Sequence, residues 1–236
     1  MSLIQSCQTL LQAYKDGSLG QTIMPEDSHP VFKDQESKLI YFTLPMSLNY
    51  QRDSYALWKA ALATYNDPTT NIVFNLKEVS NMDTNQLQQL LSKHKLALQP
   101  NKHTHNWKTI AQTITTNFST LSNLLKNPDY LTLKQLLQIK HKKGFPYLSG
   151  PKIFNYWCFI LNQYCNLNMN NSNLIEIAPD THITKCSIKL GVIKGNESKE
   201  QISNIWREAL KGSNITPIQM HPVLWFWSKN NFLFKL

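Results

Sequence analysis

Hydrophobic positions recur at helical spacing along most of the chain. Ile4, Leu10, Leu11 and Tyr14 share one face of a predicted helix that stops at Gly17. Residues 20–37, with Pro25 and Pro30, read as a polar connector. A second helix is predicted from about Asp53 to Tyr65, capped by Asp53, with Tyr55, Leu57, Trp58, Ala61 and Leu62 mostly inward. Asn66-Asp67-Pro68 breaks it. The short apolar run Ile72 to Leu76 fits either a strand or a buried helix edge. Asp83 or Thr84 caps a helix through Leu87, Leu90 and Leu91, and Trp107, Ile110 and Ile114 mark another. Leu121, Leu124 and Leu125 make a short one. Leu133, Leu136, Leu137 and Ile139 make a helix that runs into Lys140-His141-Lys142-Lys143. Ile153 to Tyr164 is apolar and aromatic, an asparagine-rich loop spans 166–173, and helix resumes over Thr181 to Val192 and about Lys199 to Leu210. No fixed-period repeat interrupts this pattern, so the fold class is mainly α.

Composition narrows the class of partner. The 236 residues suffice for one domain or two closely packed lobes. A formal charge of +9 on a chain that is 42% hydrophobic places the excess charge on a folded protein, which favours a polyanionic partner, nucleic acid first. The four cysteines, Cys7, Cys158, Cys165 and Cys186, form no CxxC pair and read as buried reduced thiols. The pair His103-Thr104-His105 lacks a nearby carboxylate, so no metal is expected. The first residues show no basic segment leading into an apolar one, and no apolar run approaches about 18 residues. The expectation is a soluble intracellular protein without a membrane partner.

The segment from residue 140 to residue 152 carries the candidate chemistry. A basic helix end, Lys140 to Lys143, leads into Gly144-Phe145-Pro146-Tyr147-Leu148-Ser149-Gly150 and then a helix starting at Pro151. Pro151 suits the first helical position, and Gly150 can supply a backbone geometry closed to bulkier residues. Amide hydrogens of the turn (Gly144, Tyr147, Leu148, Ser149, Gly150) and of the next helix are then positioned to hold a DNA phosphate without reading sequence, with Lys140, Lys142 and Lys143 adding charge. Lys152, in the first turn of its helix, meets a dipole and basic neighbours that favour the neutral amine, a nucleophile able to attack an anomeric carbon. Asp180, before Thr181-His182-Ile183, is a natural helix cap whose carboxylate can also stabilise a cationic sugar.

Gly150-Pro151-Lys152 followed by Pro179-Asp180-Thr181-His182 resembles the helix-hairpin-helix DNA glycosylase superfamily. The separation of lysine from aspartate is longer than in its commonest members, with the loop at 166–173 as an insertion. From about residue 45 to residue 228 the chain is most similar to the archaeal-type 8-oxoguanine glycosylase/lyase group. The matches are Asn49-Tyr50-Gln51 ahead of Trp58, Lys152-Ile153-Phe154, Ile177-Ala178-Pro179-Asp180, and Ile215 through His221-Pro222 to Trp225.

The resemblance implies a two-lobed architecture with a cleft between lobes, roughly residues 1–70 plus 181–236 and residues 71–180. It implies a bifunctional glycosylase and lyase that excises an oxidised purine, 8-oxoguanine first, from double-stranded DNA. Lys152 and Asp180 are its catalytic residues, and Tyr156, Trp225, His221, Trp58 and Gln51 its base pocket. Trp225 and Tyr156 match the group's two base-stacking aromatics, whereas His221 stands where the group places an aspartate. Trp157 and Trp227 are expected in the core. Some superfamily members carry an iron–sulfur cluster on four cysteines near the C-terminus; no cysteine follows Cys186, so no cofactor is expected. A monomer is expected. The alternatives are the same chemistry on another lesion and a catalytically silent DNA-binding protein.

Overall fold

The computed structural model describes residues 1–236, and the chain is mainly helical, with twelve α-helices and no strand. In chain order these are α1 (Leu3–Lys15), α2 (Gln35–Ser47), α3 (Ser54–Asn66), α4 (Leu76–Asn81), α5 (Thr84–Lys93) and α6 (Pro100–Asn117). They are followed by α7 (Leu121–Leu124), α8 (Tyr130–Gln135), α9 (Pro151–Cys165), α10 (Thr181–Lys189), α11 (Lys199–Leu210) and α12 (Met220–Lys229). Two compact units emerge. A terminal unit joins Met1–Met24 to Asn171–Leu236, and a middle unit comprises Pro25–Asn170. Residues 25–70 thus belong to one unit with 71–170, a different division from the lobes the resemblance implies.

In the middle unit α2 explains that division. Every residue from Leu39 to Ser47 is buried, so the helix shows no polar face and no helical period. It packs on α9, α7, α3 and α6. Asp34 caps its start by accepting from the Ser37 amide at 2.7 Å, and Pro45 falls in its last turn. Glu36, in its first turn, accepts from the Leu121 and Ser122 amides at 2.8 and 2.7 Å and so caps α7 from a distant point in sequence. Tyr41, Phe42 and Trp58 meet with ring centroids 5.3 to 5.9 Å apart. The run Ile72 to Leu76 resolves into a 3-10 turn, Asn71–Phe74, and the start of α4, with the Val73 carbonyl accepting from Trp107 Nε1 at 2.8 Å.

The terminal unit has its own core. Leu10 and Ala13 of α1, Ile183 and Cys186 of α10, Ile202 and Trp206 of α11, and Val223, Leu224 and Trp227 of α12 form one buried cluster. Two buried polar groups pair within it: Trp206 Nε1 donates to Ser187 Oγ at 2.8 Å, and the Cys186 thiol to the Leu224 carbonyl at 3.0 Å. Asn230 ties the stretch after α1 to the end of α12 by donating to the Leu19 carbonyl at 2.6 Å. All four cysteines are free and buried, with Cys7 raised to about 11 and Cys165 and Cys186 to about 12 by burial. No helix is long and apolar enough to cross a membrane.

Candidate functional site

The helix expected to run unbroken into Lys143 instead loosens in two steps. After α8 a π turn covers Leu136–Lys140, closed by the His141 amide donating to the Leu136 carbonyl at 2.8 Å, and a 3-10 turn covers Lys142–Gly144. Lys140, Lys142 and Lys143 are all exposed on this irregular stretch. Phe145 and Leu148, both fully buried, anchor the hairpin to the unit.

The two glycines act by close approach rather than by backbone freedom. Gly150 has φ −64° and ψ 138°, which any residue adopts, but a Cβ there would lie 3.1 Å from the Tyr147 carbonyl oxygen. A Cβ on Gly144 would lie 2.6 Å from both Oγ1 and Cγ2 of Thr113 on α6. The left-handed position in the turn is Tyr147, at φ 65°. Its hydroxyl donates to the Asn49 carbonyl, its ring meets Tyr50 edge-on at 5.6 Å, and the Lys102 ammonium sits 3.8 Å from the Tyr50 centroid. Burial, with Tyr50 adding, raises the Tyr147 phenol to about 12.

Leu148 and Ser149 do not present themselves to a ligand. Both are buried, and the Leu148, Ser149 and Gly150 amides donate to the carbonyls of Pro146, Phe145 and Tyr147 at 2.8, 2.9 and 3.0 Å. The expectation that these amides hold a phosphate is therefore corrected: they close the turn itself. The donor face at the hairpin is the first turn of α9, which begins with Pro151 and which no side chain caps.

Lys152 is the second residue of α9 and is exposed. Tyr156 lies one turn on, on the same face, half-buried and stacked on Phe159 at 5.8 Å. Its hydroxyl donates to Oε1 of Glu26 at 2.9 Å. Glu26 belongs to a 3-10 turn, Pro25–Asp27, and is 0% exposed. Burial raises its carboxyl to about 7, with Asp27 adding, against the stabilising hydrogen bonds of its own backbone, Tyr156 and Trp58. Trp58 Nε1 reaches the carboxylate closely enough to lower its pKa, yet neither it nor Glu26 Oε2 makes a hydrogen bond of ordinary geometry. The Trp58 ring is 1% exposed and packs in the core with Tyr41 and Phe42. Gln51 is exposed, at φ 47° in the turn before α3. Trp157 is a core residue, with Nε1 donating to Thr43 Oγ1 at 3.0 Å.

Asp180, His221 and Trp225 belong to the terminal unit. Asp180 is the cap of α10: its Oδ1 accepts from the Ile183 amide at 2.9 Å, and its carbonyl from the Thr184 amide at 3.0 Å. His182, the next residue but one, pairs through Nδ1 with Ser228 Oγ at 3.0 Å and meets Trp225 edge-on at 5.5 Å. Trp225 is partly exposed, with the Lys229 ammonium 4.6 Å from its ring centroid. His221 is buried in the first turn of α12, and Trp227 is core, donating to the Phe234 carbonyl at 2.9 Å.

The candidates therefore fall into two local groups. Lys152, Tyr156, Trp58 and the hairpin share the middle unit; Asp180, His182, His221 and Trp225 share the terminal unit. His103 and His105 differ in setting, His103 buried and His105 exposed, and burial lowers His103 to about 4, with Arg52 and Lys102 contributing. No cluster of three or more potential metal ligands is present. Compared with protein-family models and with curated proteins, the chain matches none.

Proposed function

We propose that the chain is a bifunctional DNA glycosylase and lyase of the helix-hairpin-helix type, acting on an oxidised purine, with 8-oxoguanine as the leading substrate. The observation that carries this reading is the setting of Lys152. It is an exposed amine in the first turn of a helix that directly follows a hairpin approached by three exposed lysines, with a half-buried aromatic, Tyr156, one turn further along its face. The two-lobed architecture, the DNA partner and the monomeric state belong to the same reading.

The chemistry uses few groups. The neutral Lys152 amine forms a bond to C1′ as the bond from C1′ to the base breaks, and the base leaves with the bonding pair and takes up a proton. Asp180 stabilises positive charge on the sugar as the base departs. The nitrogen now bonded to C1′ loses one proton, and the C1′–O4′ bond breaks with its pair going to O4′, which takes up a proton, giving a protonated imine between Lys152 and C1′. Loss of a proton from C2′ then expels the 3′ phosphate and nicks the strand. Tyr156 and Trp225 are the flat surfaces against which an extruded base would stack.

His221 changes the charge available to the base from that of the group's aspartate, which favours a lesion panel over a single substrate. Duplexes carrying one oxidised, alkylated or deaminated base each, or an abasic site, should give base release and strand cleavage from at least one purine lesion. Salt-sensitive binding with no release from any of them would replace this reading by that of a silent DNA-binding protein.

A further inference from the structure

Glu26 is a wholly buried carboxyl that the proposed chemistry does not use. It sits on the turn Pro25–Asp27, which two tyrosines of α9 hold: Tyr156 donates to Glu26 Oε1 at 2.9 Å, and Tyr164, two turns on, to Asp27 Oδ1 at 2.7 Å. From α3 the Trp58 indole N–H approaches the same carboxyl. Oε2 of Glu26 and Nε1 of Trp58 are both buried without a well-formed hydrogen bond. A carboxyl so placed is expensive to ionise and is held by neutral donors alone.

We propose that Glu26 is a positioning residue that acts through Tyr156: as a carboxylate it grips the phenol by a charge-assisted hydrogen bond, and as a carboxylic acid it holds it less tightly. The inference rests on the reading of Tyr156 as a base-stacking surface, and it makes the setting of that surface dependent on proton uptake. Hydrogen bonds to a charged acceptor are about twice as strong as neutral ones, so the ring is held most firmly when Glu26 is ionised. The groups that face it set where this happens. Asp27 on its own turn opposes ionisation, and Tyr156 from α9 and Trp58 from α3 favour it. Tyr164 is engaged with Asp27. With burial as the dominant influence, the carboxyl titrates at about 7, within the range in which a cell's pH moves.

The test follows the ring and the reaction separately in the intact protein. With ¹³C-labelled glutamate and ring-labelled tyrosine, the Glu26 carboxyl signal, assigned by its loss in Glu26→Gln, should titrate near neutrality. The Tyr156 ring signal, assigned by Tyr156→Phe, should move with it and stand still in Glu26→Gln. Single-turnover base release from an 8-oxoguanine duplex should rise through the same pH window in the wild type, and Glu26→Gln should flatten that rise several-fold. A Glu26 carboxyl that titrates in the ordinary carboxylate range, or a Tyr156 signal indifferent to it, overturns the positioning role whatever the activity. A coupled titration with identical pH–rate profiles for wild type and Glu26→Gln also overturns it. If the tyrosine signal moves but no lesion is released, the glycosylase reading fails and the Glu26–Tyr156 coupling stands.

Discussion

The indole N–H of Trp157 on α9 donates to Oγ1 of Thr43 on α2 at 3.0 Å, and neither residue is exposed at all. The same hydroxyl donates to the Leu39 carbonyl at 2.7 Å, so its single hydrogen points back along α2 and its lone pair faces the indole. Thr43→Val keeps the shape and removes the acceptor. The variant should lose about 1–3 kcal/mol in urea unfolding, because a buried donor is left without a partner. An unchanged midpoint would mean that another group takes up the Trp157 N–H.

Asp180 has a capping role that is separable from its proposed chemistry. Asp180→Ala should cost about 1 kcal/mol of stability through loss of the bond to the Ile183 amide, whereas Asp180→Asn, also a good cap, should stay within a few tenths. If the carboxylate stabilises the sugar cation, base release should fall by about two orders of magnitude or more in both variants. Equal activity in Asp180→Asn and wild type would assign the residue to the cap alone.

Gly144 is explained by its neighbour. Gly144→Ala would drive a methyl to 2.6 Å from Thr113 Oγ1 and Cγ2, and overpacking of this kind costs about 1–3 kcal/mol. The double variant with Thr113→Ala removes both colliding atoms and should recover most of the loss, a coupling read from the double-mutant cycle. Independent, additive effects would contradict the close approach.

Stability should also carry the mark of Glu26. Folded, its carboxyl holds a proton to about pH 7, whereas an ordinary glutamate releases it near 4.5. The folded state therefore binds the extra proton between these values. The resulting stability is full below about 4.5 and is lost as pH rises through about 7. Glu26→Gln, which has no charge to bury, should gain on the wild type by about 2–3 kcal/mol at pH 8 and show no such gain at pH 4. Unfolding curves at the two pH values decide it, and a parallel shift at both would refute the linkage.

The hairpin lysines should act as an electrostatic set. Alanine at Lys140, Lys142 or Lys143 should weaken DNA binding uniformly across sequences and lower the salt slope by about one unit for each phosphate that is no longer neutralised. Titrations at several salt concentrations measure this, and slopes equal to that of the wild type would remove these lysines from the interface.

Much of the helical framework was legible because polar punctuation announces it. Asp53, Asp83 and Asp180 each cap a helix through a side-chain bond to an amide, at the positions where the apolar period begins. α2 was not legible, since burial on every side erases the period that reveals a surface helix, and Glu36 caps α7 from 85 residues away. Leu148 and Ser149 read as turn residues open to a ligand, but sequence does not tell whether an amide points outward or closes its own turn. Gly150 read as a special backbone position, and its φ of −64° shows the constraint to be the nearby Tyr147 carbonyl. Glu26 gave no signal at all: a charged residue in a proline-flanked polar stretch is ordinarily solvated, and only packing against α3 and α9 buries it.

Borohydride trapping shows whether Lys152 is the nucleophile. The protein is incubated with duplex DNA bearing a single 8-oxoguanine, borohydride is added, and a covalent protein–DNA band is sought, with Lys152→Gln as the control. The wild type should give a band that the variant, while still binding DNA, does not. A band that persists in Lys152→Gln, or no band from 8-oxoguanine, other lesions or an abasic site, would contradict it.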